Sequence, residues 1–272
     1  MTPLDTLLAR CTVVDLSLEI AEDLPGAWPG HTPFRHTVGN WFTDRPDAPQ
    51  PVRASLGPYQ TKWMVIDEHT ATHLDAPSHG LPPLGSGLPG AHANGEVSVE
   101  RVPLDQLRGP AVVVDATGLG EGVGPAAPAV TVEALERHVA QHGPFAEGDV
   151  VLVRTDWDLT YLPGEAGQAY VAGPLAGTHP GWPALDAAAM AWLGDQGVRC
   201  VGTDAPSIGG PGTGGPAHDA GFTRGMVFFE GLANLRLLPA RGAYFIGLPL
   251  RLRGGTGAPA RVIALVDKEG QQ

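Results

Sequence analysis

Short apolar runs alternate along this chain with long stretches rich in glycine and proline. The runs in "GPAVVVDA", "GDVVLVRTDW", "VRCVGTDAPS", "GMVFFEGL", "AYFIGLPLRL" and "ARVIALVD" read as strands. Several are apolar without a break, the mark of a strand covered on both faces. "YQTKWMVIDEH" also reads as a strand. It sets Trp63, Val65 and Asp67 on one face, Met64 and Ile66 on the other, and delivers His69 at its end. "TLLARCTVVDLSLEI" predicts a short helix running into a strand over 13–20. Helical spacing is clear in "TVEALERHVAQHG", with Thr131 as N-cap and Gly143 as the stop, and in "DAAAMAWLGDQG". Strands alternating with two or three helices predict an α/β fold, a mixed sheet with helices on at least one face.

Two loops interrupt this pattern. Residues 21–50 carry Trp28, Phe34, Trp41 and Phe42 among prolines and glycines. So long a loop is functional or packed, and its rings either line a pocket or pin the loop to the core. Trp28 and Trp41 are the candidates for covering a substrate. The second loop, "IGGPGTGGPAHDAG", holds His218. No repeat or linker divides the chain, so residues 1–272 are expected to form a single domain.

Charge narrows the function. The formal net charge of −12 and the lack of a basic run argue against nucleic acid or an anionic membrane as a partner. No apolar stretch reaches the ~18 residues of a membrane helix. The first residues show no basic region followed by an apolar core, so no signal peptide is expected. The two cysteines, Cys11 and Cys200, form no CxxC pair and read as reduced thiols of a cytoplasmic protein.

The candidate chemistry lies in "DEHTATHLDAPSHG", where His69, His73 and His79 surround Asp75. A lone loop histidine is ordinarily a solvated side chain. Three around one aspartate are hard to explain as packing, and imidazole with carboxylate is the donor set of Zn, Mn or Fe. A spacing of four fits a helix face, but the further gap of two does not. A strand end leading into a turn could aim His69, His73 and Asp75 at one point. The HExxH motif does not apply, because Thr70 stands at its second position. Nucleophile-elbow and phosphate-loop motifs are absent. Glu230 interrupts an apolar strand, which is costly for a buried carboxylate unless it is paired or binds a metal. His218 lies twelve residues before it. His138 and His142 are expected to cap their helix or face solvent. His31, His36, His92 and His179 lie in loops and carry no separate signal.

The stretch "HTATHLDAPSH" resembles H-x-G-T-H-x-D-x-P-x-H, the signature of the cyclase family that includes bacterial kynurenine formamidase and isatin hydrolase. The likeness continues through "DLSLEI…LPGAWPG", "VPLDQLRGPAVVVDA", "GDVVLVRTDW", "VRCVGTDAPSIG", "AHDAGFTRGMVFFEGLANL" and "YFIGLPLRLRGGTGAPARVIAL". It implies a swivelling β/β/α fold of mixed β-sheets with flanking helices, assembled as a dimer or tetramer. It also implies one or two divalent ions, Zn or Mn. By position, His69, His73 and Asp75 match the primary ligands, and His79 the acid or base. His218 and Glu230 match the pair that completes a second metal site. Three positions depart from the family pattern. Ala71 replaces a glycine, Gly80 stands where formamidases commonly carry phenylalanine, and Gly231 replaces an asparagine.

The leading expectation is a metal-dependent hydrolase of a small amide, formamide, lactam or lactone. A metal-dependent lyase or cyclase is the alternative, because a polarised carbonyl also serves ring closure or dehydration. A non-catalytic metal protein is third. Structural zinc usually has four closed ligands, often cysteine, which this cluster does not offer.

Overall fold

The computed structural model describes residues 2–119 and 127–268. Helix α1 (Pro3–Arg10) leads into β1 (Cys11–Asp15); β2 (Arg35–Asn40), β3 (Thr61–Val65), β4 (His73–Asp75) and β5 (Arg108–Asp115) follow. Next come β6 (Ala129–Val130), α2 (Val132–His142), β7 (Val150–Arg154), α3 (Ala172–Ala176), β8 (Ala184–Leu185) and α4 (Ala187–Asp195). The described chain ends with β9 (Cys200–Thr203), α5 (Gly214–Phe222), β10 (Val227–Glu230), β11 (Arg241–Pro249) and β12 (Gly257–Asp267).

The main sheet runs β1-β12-β11-β5-β7-β9-β10-β4, and β4 pairs in addition with β12. The sheet therefore closes on itself. Strand β12 makes this possible by dividing its length: Gly257–Pro259 pair with β4, while Ala260–Val266 pair with β11. Within this sheet β5, β7, β9 and β10 are mutually parallel and the other pairings are antiparallel.

Alternation along each strand builds two cores. Ala111, Val113, Val150, Leu152, Val227, Phe229 and Phe245 point into the barrel with Leu16 and Leu74. Val112, Val114, Val151, Val153, Val201 and Phe228 point outward, under Leu135 of α2, Met190 and Leu193 of α4 and Phe222 of α5. Burial on both faces is why these strands read as unbroken apolar runs.

The structure corrects several sequence-based boundaries. The first strand ends at Asp15 instead of continuing to residue 20, because the Asp15 carboxylate turns back to accept from the Ser17 amide (3.1 Å). Strand β3 stops at Val65 and, among the described residues, pairs only with β2, which lies inside the expected aromatic loop. This hairpin is separate from the barrel sheet and leaves Trp63 and Met64 more than half exposed (55% and 59%). Thr131 occupies the cap position of α2, but its side chain makes no capping bond. His218 sits on a helix, α5, and not in a loop. His138 is buried and stacks on Phe145 at 5.6 Å, so it neither caps its helix nor faces solvent.

Candidate metal centre

The histidine cluster begins in a turn. The His69 amide donates to Asp67 Oδ1 (2.9 Å), and the Thr70 hydroxyl donates to the Asp67 carbonyl (2.8 Å). Ala71 then adopts a left-handed conformation, φ +54°, which is uncommon for a residue with a β-carbon. That twist leaves the Ala71 carbonyl where His73 Nδ1–H donates to it (2.9 Å). Strand β4 follows. His73 and Asp75 are two apart, so both leave the outer face of the strand while Leu74 fills the barrel. Glu230 lies directly across from His73 on β10 and shares that outer face with Phe228. His79 returns on the short turn Pro77–His79, and His218 descends from α5.

These side chains converge. His69 Nδ1 lies 2.7 Å from Asp75 Oδ1, and His73 Nε2 lies 3.2 Å from the same oxygen. His218 Nε2 lies 3.1 Å from Glu230 Oε1 and 3.6 Å from Asp75 Oδ2. His69, His73 and Asp75 form one set of potential ligand atoms, and Asp75, His218 and Glu230 form a second, with Asp75 common to both.

The hydrogen bonds fix which nitrogen faces inward. His73 and His218 spend Nδ1–H on the carbonyls of Ala71 and Gly214, leaving Nε2 toward the carboxylates. His69 turns the other way. Its Nε2 donates to the Thr256 hydroxyl (3.2 Å), which donates to Glu68 (3.0 Å), leaving Nδ1 toward Asp75. Such outer contacts orient ligands and set their tautomers. Ser207 and the Ile208 amide in turn donate to Glu230 Oε1 (3.2 and 2.7 Å).

In neutral imidazoles these inward nitrogens carry lone pairs, so acceptors here face acceptors. The two carboxylates are buried, and among the described residues neither meets a lysine or arginine. Protons or a cation must lie between them. Without an ion the imidazoles take that part. Burial alone would lower the His73 pKa, but Asp75 and Glu230 outweigh it and raise the value to about 9. His218 is raised well above the ordinary value against the same burial penalty, by hydrogen bonds to Asp75 and Glu230. Asp75 is held well below the usual carboxylate range despite its burial, chiefly by His79 and His73. A divalent cation satisfies the same donor set with neutral imidazoles, and so the residues present fit a metal.

His79 behaves differently. Enclosure lowers its pKa below the ordinary value, with the Asp75 charge opposing. Its ring is 4.1 Å from His69 and 6.3 Å from His218, so a neutral base faces both ligand sets.

A cavity of about 520 Å³ opens over the cluster. Its lining includes Trp28, His31, Tyr170, Val171 and the glycines of 210–215. His69, His73, Asp75, His79, His218 and Glu230 all line this cavity, as does Trp28. Trp41 is not among its lining residues; it lies against Phe42 and under the guanidinium of Arg45. Sequence reading missed Thr256, Glu68, Ser207, His31 and Tyr170. The polar end of "VRCVGTDAPS" was the one local signal for Ser207. Gly80 has a physical reason as well. A β-carbon there would lie 2.8 Å from Phe222, whose ring already fills that space.

Residues 14–209 match the family described as a putative cyclase. The chain is 32% identical over 224 residues to an isatin hydrolase of Roseibium aggregatum, covering 79% of this chain and 78% of that one. It is 29% identical over 252 residues to a kynurenine formamidase of Salinibacter ruber, covering 92% and 96%. Its fold is similar to a crystal structure of an isatin hydrolase bound to the product analogue thioisatinate, with TM-score 0.75 and 26% identity over 97% of each chain.

Proposed function

The chain belongs to the putative cyclase family; we propose that it is a metal-dependent hydrolase of amide C–N bonds that opens a small lactam or N-formyl amide carried on an aromatic ring. The observation that carries this reading is the neutral His79 facing two ligand sets that share Asp75. In the proposal His69, His73 and Asp75 hold one divalent ion, Zn or Mn, and Asp75, His218 and Glu230 hold a second. The cavity suits a small planar substrate, with Trp28 as an apolar wall. The Trp28 ring is fixed edge-on against Trp182 at 6.1 Å, so it meets a substrate without losing much freedom.

When bound, a divalent ion would lower the pKa of water toward ~7 and polarise the carbonyl. The protein does the rest. His79 takes a proton from the attacking water and returns it to the leaving nitrogen. Its depressed pKa keeps it unprotonated near neutral pH, ready for the first transfer. Asp75 and Glu230 present their carboxyl groups in a buried setting, and the carbonyls of Ala71 and Gly214 keep the histidines correctly turned. Residues 1–272 act in this proposal as one domain, in the cytoplasm and as a homo-oligomer, a dimer or tetramer. The two free cysteines and the exposed apolar hairpin support those last two points.

The test pairs metal content with turnover. Mass spectrometry should find one to two equivalents of Zn or Mn in the wild type and a large loss in His73→Ala. Isatin and N-formylkynurenine should be hydrolysed with one heavy oxygen entering the product from labelled water. An unlabelled, dehydrated or ring-closed product would establish the lyase or cyclase reading instead. Full turnover by metal-free protein would overturn the proposal.

A further inference from the structure

We propose that Tyr170 is a catalytic residue of this site, its hydroxyl donating a hydrogen bond to the scissile carbonyl oxygen as that oxygen gains negative charge. The inference rests on the hydrolase reading above.

Tyr170 lines the cavity and is 3% exposed, yet among the described residues its hydroxyl oxygen has no hydrogen-bond partner. A buried hydroxyl left unpaired is destabilising, so an unpaired one calls for a reason. The ring is held in place, edge-on to Tyr161 at 5.0 Å and packed with Val171, Trp182 and Ala205. The hydroxyl lies beside the residue that follows Glu230, since a β-carbon placed on Gly231 would lie 3.2 Å from it.

Several neighbouring side-chain donors are already committed. His73 Nδ1–H serves Ala71, His218 Nδ1–H serves Gly214, and His69 Nε2–H serves Thr256. The Ser207 hydroxyl serves Glu230, and the Thr72 hydroxyl serves the Gly231 carbonyl. His79 is reserved for the water proton. Among the described residues Tyr170 is a buried side-chain hydroxyl left uncommitted at this cavity. Burial, with Tyr161, Asp204 and Glu230, pushes its pKa well above the usual phenol value, so it stays a proton donor at every working pH.

The step balances without proton transfer to or from Tyr170. A water oxygen bonds to the carbonyl carbon, its proton goes to His79, and the carbonyl π pair moves onto oxygen. The tyrosine keeps its proton and its hydrogen bond strengthens as that charge develops. The C–N bond then breaks, and the nitrogen takes the proton from His79. A fixed donor of this kind acts on the transition state more than on the bound substrate.

Tyr170→Phe keeps the ring and removes only the hydroxyl. In full-length, metal-replete enzyme acting on isatin and N-formylkynurenine, kcat should fall roughly 10²–10³-fold, as for loss of one oxyanion donor. KM should change less than about threefold, with metal content and Tm unchanged. Unchanged kcat overturns the inference. So does a rise in KM alone, which marks ground-state contact, and so does a joint fall in Tm and metal content, which marks a structural role. A wild type that hydrolyses neither compound overturns the hydrolase reading, and this inference with it. An active wild type beside an equally active variant overturns this inference alone.

Discussion

Gly257 stands directly behind His69: a β-carbon at position 257 would lie 2.5 Å from Cε1 of the imidazole. Gly257 is also the cross-strand neighbour of Asp75 on β12, so the backbone that seats one proposed ligand is hydrogen-bonded to the strand carrying another. Gly257→Ala should therefore push the His69 ring off its position while leaving the strand paired. We expect a 10–100-fold loss of metal affinity, the usual cost of disturbing a ligand's support. Competition with a chromophoric chelator measures it, and unaltered affinity would show that the ring adjusts freely.

Ala71 carries a left-handed backbone at the turn between His69 and His73. An L-residue pays about 1–2 kcal/mol there, partly offset by the greater freedom of glycine in the unfolded chain. Ala71→Gly should stabilise the protein by about 0.5–1 kcal/mol in urea unfolding, with the metal sites intact. A loss of stability would mean that the methyl group's packing outweighs the strain.

Gly80 and Phe222 compete for one space. Gly80→Ala should cost about 1–3 kcal/mol, the range for overpacking a well-filled core. Paired with Phe222→Leu it should cost less than the sum of the two single changes. Strict additivity in a double-mutant cycle would remove the idea of direct competition.

His79→Asn should retain full metal content and lose roughly 10²–10⁴-fold in kcat/KM. In the wild type the base must be unprotonated and its pKa is depressed, so activity should rise with pH along a limb lying below the ordinary histidine value and then level off. The residual activity of His79→Asn should lack that limb. A limb that persists would assign the base elsewhere.

His138 is buried with Nε2 unpaired among the described residues, and burial, with His142 and Arg241, lowers its pKa from 6.5 to about 4. The unfolded chain takes up a proton near pH 6.5 and the folded chain only near 4. Its contribution is therefore full above 6.5 and is lost as pH falls through that window, on the order of 1–2 kcal/mol. Urea unfolding of wild type and His138→Gln at pH 7 and 4.5 checks this, and the variant should lose less on acidification.

Much of this molecule was legible in its sequence. The unbroken apolar runs marked strands buried on both faces, and the odd spacing His69-His73-Asp75 marked a turn entering a strand. Glu230 was legible because a lone acid in an apolar strand needs a reason to be there. The helix carrying His218 was not, since five glycines within 209–215 mask the helical start that packing against α4 and β10 supports. The hairpin of β2 and β3 was half legible. Its strand pattern is clear, but nothing local says that it pairs away from the barrel. Tyr170, Thr256 and Glu68 carry no motif, and only the folded chain brings them beside the cluster.

The three residues of β4 lie at the seam where the sheet closes, between β10 and β12, and they include two of the proposed ligands. Closure and chemistry thus share one short keystone. Descendants of this chain can rework Trp28, the glycine wall or Gly80 with Phe222 and so drift toward new substrates. They cannot readily shed His73 and Asp75 without also repacking the joint on which the barrel depends. Substrate preference in such a lineage should diverge quickly while the metal chemistry stays put.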